Sequence, residues 1–546
     1  MNETIGWALG PGRTEEAFDF VAQDMRKLKT GEFVYYEPPG REGTKILCRV
    51  RERERIVSEE TDIPSTLEPH VEGEVMATLR SNRAYRVTAK VLGFYDREMG
   101  SFRNLRNPPE MGQEVYYAGD ELLSEILMPS KDTGILHVGR VLNRDKTEVD
   151  VVIDMDEIAT KHLSVLAATG AGKSYTVGVL LEEMVKPGNR GTSVVFDLHG
   201  EYFTLAEDEE YGDRFNLIEE PRIKISNLEI DDFQVAFTEK ATNVQIERLR
   251  EVLSDLDIRD STAKPSKTVP QEYQDTVRID YSIDDVIDRL KEGNRVDDNL
   301  SWRLGMLNDF VSLDAETETS VKDLCEPGKC NIIEFPTGAG ELERNLILWY
   351  YTKQILESRK EAMRVKRGRN AYEAETEEGM IKVPVTIFIE EAHNFAPVER
   401  DLKTRDILQE IAREGRKFGV GLCIVSQRPS RLDEDVLSQC NSSIIMKVRN
   451  GVDQQTIERS VEAAGEDLLR DLPGLTTGQA VLAGDFINTP VLTKVRERET
   501  EHGGMTPDVA EESIAAYEES QKRKKERHER AAQKAREARG ESPSQD

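Results

Sequence analysis

Two short stretches hold side chains whose types and spacing fit phosphate chemistry. Residues 163–176 read LSVLAATGAGKSYT, and residues 383–397 read VPVTIFIEEAHNFAP. In the first, Leu163–Ala167 is an apolar run suited to a buried strand, and the glycines force a tight turn. An amphipathic helix then opens at Lys173-Ser174 and runs to about Lys186, where Pro187-Gly188 ends it. Strand, glycine-rich turn and helix are the context a phosphate-binding loop requires. Thr169, Gly170, Ala171 and Gly172 turn backbone N–H groups around a polyphosphate at the positive end of the helix. Lys173 is expected to reach the β- and γ-phosphates and the Ser174 hydroxyl to ligate Mg²⁺, with Tyr175 completing the nucleotide-contacting run. ATP and Mg²⁺ are the expected cofactors. Ala167 stands where the strict pattern has glycine, but the contact-making TGAGKS is intact.

In the second stretch the apolar run Val385–Ile389 delivers Glu390 and Glu391 at the end of a strand. Two adjacent carboxylates ending a buried strand are costly without a function. Glu390 is assigned to the Mg²⁺ shell, in a place where Asp is usual, and Glu391 to polarising the attacking water. Three further groups belong to the same chemistry. Asp197, at the end of the strand in VVFDLHGEY, either supports the metal with Glu201 or caps a loop. The helix at about Leu402–Phe418 carries Arg405, Gln409, Arg413 and Arg416 on one side. An arginine supplied from a neighbouring subunit neutralises charge on a transferring phosphoryl group, and Arg416 is the first candidate, Arg413 the second. The alternative for these side chains is a solvated basic face. Gln427, after the strand Val420–Val425, is placed to sense the γ-phosphate.

These elements imply a scaffold. Residues 1–155 read as β-rich, with strands at Glu32–Glu37, Lys45–Arg51, Ala84–Gly93 and Glu114–Tyr117, which predicts a small barrel for assembly or docking. Residues 156–504 alternate strands and helices, as in a parallel α/β sheet flanked by helices. Residues 205–315 interrupt that pattern with helical spacing over Glu229–Leu256 and Ile283–Leu313, separated by a polar stretch around Pro265 and Pro270, and predict an inserted helical subdomain. A strand at Asn331–Phe335 and a long helix over Arg344–Arg364 follow, then a charged surface loop at 365–382. Further strands are expected near Ile444–Val448, Ala480–Ala483 and Val491–Val495. Residues 505–546 form a charged tail, helical or disordered, whose basic run 522–539 reads as solvated, with nucleic acid or a partner as the alternative.

The chain has 546 residues with 104 Asp+Glu against 74 Lys+Arg, a net charge of −30. Taken alone this disfavours a polyanion partner. Acidic residues are spread along the whole chain and arginine outnumbers lysine, which fits a hydrated surface adapted to high salt. Local charge is then the guide to partners. No apolar run approaches the ~20 residues of a membrane span, and MNETIGWALG lacks a signal-peptide pattern. Cys48, Cys325, Cys330, Cys423 and Cys440 have no partner spacing for zinc and are expected as free thiols in a reducing cytoplasm.

The motifs together resemble the HerA family of archaeal hexameric DNA translocases, relatives of FtsK. The resemblance rests on AATGAGKS, VVFDLHGEY, FIEEAHNF, REGRKFG, SQRP, LPGL and ERETEHGG, and spans most of the chain. It implies a RecA-like P-loop ATPase core with an N-terminal β-barrel and a helical insertion. It also implies a homo-hexameric ring that hydrolyses ATP at subunit interfaces and moves double-stranded DNA. A NurA-type nuclease would dock on the N-terminal face for the resection of broken ends, alongside other DNA-break repair proteins. By position, Lys173 and Ser174 bind nucleotide and Mg²⁺, Glu391 activates water, and Arg416 matches the family's trans arginine finger. Lys403, Arg405 and Arg431 are expected towards the DNA channel. Competing readings are a nucleotide-gated scaffold that recruits a nuclease, and a conjugation- or secretion-type pumping ATPase, for which membrane segments are missing from the sequence.

Overall fold

The structure is a computed structural model. It describes residues 4–11, 16–22, 28–41, 43–55, 85–99, 101–104, 107–128, 131–142, 144, 149–237, 240–258, 280–292, 298–366, 380–503 and 509–538. The polar stretch around Pro265 and Pro270 and most of the expected loop 365–382 lie outside the described residues.

The N-terminal strands are β1 Thr4–Pro11, β2 Ala17–Ala22, β3 Phe33–Tyr36, β4 Ile46–Arg55, β5 Tyr85–Asp96, β6 Ser101–Arg103 and β7 Glu114–Tyr117. They follow in the order β2-β1-β7-β3-β4-β5, and β2 closes on β5 to make a six-stranded antiparallel barrel, with β6 added to β5 as a hairpin. Strand β5 alternates buried and part-exposed residues, the period-two pattern of a sheet with one face on a core. The expected barrel is present, and β1 and β2 complete it although the sequence reading did not mark them.

A second sheet of eleven strands carries the rest. Its members are β8 Ile135–Val141, β9 Asp150–Asp154, β10 Leu163–Leu166, β11 Ser193–Asp197, β12 Phe215–Ile218, β13 Cys330–Glu334, β14 Val385–Ile389, β15 Val420–Ser426, β16 Ser442–Ile445, β17 Gln479–Gly484 and β18 Val491–Val495. They lie in the order β12-β13-β11-β14-β15-β10-β16-β17-β18-β8-β9. The pairs from β12 through β16 are parallel, and those from β16 to β9 antiparallel. Strands β10, β11, β14 and β15 are buried along their whole length, as expected for central parallel strands covered on both faces. The boundary drawn at 155 needs correction, because β8 and β9 extend this sheet through β18 rather than the barrel. Short strands between turns read alike in sequence whichever sheet they join.

The helix after the phosphate loop is α1, Lys173–Val185. The interruption that follows is not wholly helical. It includes β12, the edge strand of the main sheet, and a two-residue ladder between Ile223–Lys224 and Leu313–Asp314 closes its base. Between the two halves of that ladder stand α2 Ile230–Val235, α3 Asn243–Ile258, α4 Ile283–Lys291 and α5 Asp298–Gly305. Helix α6, Glu341–Lys366, packs on α2, and Trp349 Nε1 donates to the buried Asp232 Oδ1 at 2.7 Å. Helix α7, Lys403–Glu414, continues as a 3-10 turn over Gly415–Phe418, and α8, Val509–Ala538, is exposed wherever its side chains are described. All five cysteines are free and buried. No described helix is long and apolar enough to cross a membrane.

Two buried guanidinium groups lock the barrel to the sheet. Arg49 on β4 donates through Nε and Nη2 to Asp467 Oδ2, at 2.9 and 2.6 Å, and through Nη1 to Pro490 O at 3.0 Å. Arg144, between β8 and β9, donates to Glu32 Oε1 at 2.8 Å and Ala118 O at 2.7 Å, and lies over the Tyr117 ring. Removing one partner of a buried pair leaves a lone charge and costs about 3–5 kcal/mol. Arg49→Met is therefore expected to lower the urea midpoint strongly, and Arg49→Met with Asp467→Leu to recover most of the loss. A single variant as stable as wild type would show that the pair contributes nothing. Burial pushes the Asp467 carboxyl up, but the charge and hydrogen bonds of Arg49 outweigh burial and hold it below its ordinary value. The pair's contribution is thus full above the ordinary aspartate value, near pH 4, and is lost as pH falls through the depressed one.

Candidate active site

Strands β10, β15, β14 and β11 are neighbours and parallel, so their carboxyl ends open on one edge of the sheet. In such sheets that edge is where ligands bind. Gly172, with φ +99°, caps the start of α1 in the left-handed region that favours glycine. The loop is clasped from outside, where Thr477 Oγ1 donates to Gly170 O at 3.2 Å and Gly478 N to Ala171 O at 3.1 Å.

Lys173 and Glu391, 218 positions apart, meet in this cleft. Lys173 Nζ donates to Glu391 Oε1 at 2.6 Å, with only 7 % and 5 % of the two side chains exposed. Gln427 Nε2 donates to the same oxygen at 2.6 Å, and its Oε1 accepts from Thr169 Oγ1 at 2.5 Å. Lys173, Glu391 and Gln427, expected at the γ-phosphate end of the nucleotide, are thus joined with Thr169 of the loop in one chain of contacts. Burial raises the Glu391 carboxyl, but the charge and hydrogen bond of Lys173 hold it below its ordinary value and ionised. Its backbone sits at φ +46°, ψ +44°. That conformation costs a non-glycine residue about 1–2 kcal/mol and is retained mostly where function over-determines it.

Glu390 is fully buried. Tyr202 O–H donates to its Oε1 at 2.7 Å, while Oε2 has no partner. Burial is the main reason its carboxyl is pushed up to about 8, with Lys173 opposing and Asp197 and Glu201 adding to the rise. Asp197, expected with the metal group, instead accepts backbone N–H bonds from His199 at 3.2 Å and Tyr202 at 3.0 Å. This is the loop-capping alternative. The carboxylate that meets the Ser174 hydroxyl belongs to Glu201, four positions further on. Burial pushes the Asp197 carboxyl above its ordinary value, and the loop amides oppose that rise.

Tyr175 faces a strap that the sequence left as an unexplained motif. Its hydroxyl accepts from Arg498 N at 2.6 Å, and its ring meets His502 edge-on. Residues 496–503 cross α1. Arg496 lies 2.9 Å from both Glu182 Oε2 and Glu183 Oε1, and Thr500 Oγ1 donates to Glu182 Oε1 at 2.6 Å. Gly178 makes the notch for the strap, since a Cβ there would stand 2.8 Å from Arg498 Cζ. The buried glutamates on α1 were the available signal, because a phosphate-loop helix carrying Glu182-Glu183 inward requires cations from elsewhere.

The arginines do not join the cluster within one chain. Arg413 and Arg416 are exposed at the start of β15, whereas Gln427 follows its end. Seven residues of strand separate the two edges by roughly 20 Å. Arg413 Nη2 donates to Gln409 Oε1 at 2.9 Å. The turn bearing Arg416 is anchored by buried His162, whose Nδ1 accepts from Leu422 N at 2.9 Å while Nε2 lies 3.0 Å from Ala412 O. Burial pushes this imidazole down to about 4, so it is neutral and Nε2 carries the proton. Lys403 lies 3.6 Å from Asp231 of the insertion, and Arg405 pairs with Asp401 at 2.6 Å. Arg431 is exposed on the turn after Gln427, close enough to Glu391's neighbour His393 to oppose its protonation.

The profile described as "Helicase HerA, central domain" matches residues 136–355. The DNA double-strand break repair helicase HerA of Sulfurisphaera tokodaii is 33 % identical, over 76 % of this chain and 78 % of that protein. A probable helicase of Methanocaldococcus jannaschii is 30 % identical, over 93 % of this chain and 94 % of its own length. Among solved structures, VirB4 of Thermoanaerobacter pseudethanolicus superposes with a TM-score of 0.47 at 14 % identity, covering 68 % of this chain and 98 % of that one. Identity at this level over three quarters of the chain, around an assembled phosphate loop and its carboxylates, makes the chain an ATP-hydrolysing member of the HerA helicase family.

Proposed function

We propose that this protein is an ATP-driven motor that moves double-stranded DNA, working as a homo-hexameric ring with a NurA-type nuclease in the resection of broken ends. The observation that carries the ring is the separation of Arg416 from Gln427 across the sheet. A phosphoryl group held by Lys173 is out of reach of its own chain's Arg416, which supports a second copy supplying that charge. DNA as the track follows from the relatives, which are named as DNA double-strand break repair helicases.

The residues present fit a Mg²⁺ ion. Ser174 offers its hydroxyl, and the buried, unpartnered Glu390 Oε2 with Glu201 beside Ser174 suits an ion's water shell. No group of three or more His, Cys, Asp or Glu among the described residues forms a chelating cage. None is needed, because Mg²⁺ keeps several waters and takes the rest of its oxygens from phosphates. Bound there, Mg²⁺ would supply positive charge against the charge developing on the phosphates. The chain's own residues do the remaining work. Lys173 turns from Glu391 to the phosphates, and Glu391 then loses the partner that depressed its pKa. Burial then acts with less opposition and raises it, which makes the carboxylate a stronger base for the attacking water. Gln427 stays within reach of both the base and Thr169.

The test is ATP hydrolysis in molar KCl with and without linear duplex DNA. Stimulation by DNA, with displacement of a third strand from a triplex, is expected. Hydrolysis indifferent to DNA would sink the motor and favour the scaffold. Lys403→Ala with Arg405→Ala and Arg431→Ala is expected to remove most of the DNA-stimulated increment and to lessen the salt dependence of DNA binding. An equal loss with and without DNA would take these residues out of the DNA path.

A further inference from the structure

The motif that delivers the two glutamates also delivers a histidine that the chemistry above leaves unused. His393 is mostly buried, with 15 % of its side chain exposed, on the 3-10 turn Ala392–Asn394 that begins directly after Glu391. Its Nδ1 stands 3.3 Å from Glu391 Oε2 and 3.2 Å from Ser426 Oγ. Ser426 is the last residue of β15, and its Oγ also accepts from Arg428 N at 3.1 Å, so the seat of the imidazole is fixed by the strand that carries Gln427. Both oxygens of Glu391 are therefore addressed, Oε1 by Lys173 and Gln427 and Oε2 by His393.

The two sides are not equivalent once nucleotide arrives. Lys173 is drawn away to the phosphates, and Glu391 keeps Gln427 on Oε1 and His393 on Oε2. A carboxylate on a strained left-handed residue, held by one neutral donor alone, is free to rotate about its last bond. A second donor on the opposite oxygen removes that freedom and leaves a defined lone pair for the water. Burial, together with the charges of Arg428, Lys173 and Arg431, outweighs the pull of Glu391 and favours the neutral imidazole. A neutral ring donates from Nδ1 without cancelling the charge of the base. Contacts of this kind are commonly long in the absence of ligand and tighten in the reacting complex.

We propose that His393 is the positioning residue for the water-activating carboxylate, its one Nδ1–H donating to Glu391 Oε2 and shared with the side-chain Oγ of Ser426 at the end of β15. The inference rests on Glu391 being the base and goes beyond it by assigning the histidine a role in hydrolysis rather than in folding.

The experiment compares wild type with His393→Ala, His393→Asn, His393→Gln and Glu391→Gln, measuring steady-state ATP hydrolysis and the affinity for a fluorescent ATP analogue. Small displacements of a reacting group cost up to about 10²-fold. His393→Ala is expected to lower kcat by about that factor with KM for ATP and analogue affinity little changed. Asn places an amide N–H where Nδ1 stands and is expected to restore most of the rate, whereas Gln places its amide near Nε2 and is not. Wild-type kcat in His393→Ala, or Asn and Gln alike in their effect, would overturn the proposal. Substantial hydrolysis by Glu391→Gln would instead overturn the assignment of the base, so the two failures are distinguishable.

Discussion

Glu391→Gln is expected to lower kcat for ATP by at least about 10²-fold, the smaller end of what a positioned general base contributes. ATP should still bind, because the phosphate loop and Ser174 are untouched. The same change removes the counter-charge of Lys173, whose ammonium is buried and donates to Glu391 Oε1 at 2.6 Å. Breaking a buried pair on one side costs a few kcal/mol, and a glutamine oxygen that still accepts a hydrogen bond offsets part of that. The variant should melt lower than wild type without nucleotide and regain more on adding ATP, since the phosphates supply the anion that Lys173 has lost. Single-turnover hydrolysis and paired melts read the two effects separately. Wild-type turnover would remove Glu391 as the base, and an unchanged melting temperature would show that the ion pair contributes little to the nucleotide-free fold.

Arg416→Ala is the second large effect. An arginine finger contributes about 10³–10⁵ in kcat, so a ring made only of this variant should be nearly inactive although each chain has an intact loop, base and Gln427. Under the proposed assignment the arginine acts on a neighbour's nucleotide, which makes mixed rings the informative experiment. With rising fractions of variant, activity is expected to fall faster than the wild-type fraction if neighbours fire in a coupled order. A strictly proportional fall, or near-normal turnover in the all-variant ring, would return Arg416 to the solvated basic face. Arg413→Ala is expected to be much milder, since its guanidinium is engaged with Gln409 on its own helix.

The parts of this site that were legible in sequence are those encoded within a few residues. The phosphate loop announces itself because glycine spacing, lysine and hydroxyl are all local, and Glu390-Glu391 stand out because an apolar strand seldom ends in two acids. What joins them is not local. Glu391 meets Lys173 across 218 positions, and nothing in either motif says that the two neutralise each other before nucleotide binds. Asp197 and Glu201 show the same limit in miniature. Both are acids at a strand end, and only the turn of the loop decides that Asp197 accepts backbone amides while Glu201 faces Ser174. The fold class followed from alternating strand and helix periodicity. The destination of β8 and β9 did not, because a short strand's pattern records a buried face and not the neighbour it pairs with. The strap over α1 was visible only as a late motif, and its meaning depends on Gly178 leaving room for a guanidinium.

The buried guanidinium of Arg49 bears on how the proposed motor would transmit force. Its hydrogen bonds reach Asp467 and the Pro490 carbonyl from a barrel strand, and they fail if either side rotates by more than a few tens of degrees. Arg144 imposes a second constraint some distance along the same junction. Two such pins oppose rotation of the barrel against the ATPase sheet. In the proposed ring, a stroke driven by ATP would then be taken up at the seams between chains, and a load hung on the barrel would feel it without slack.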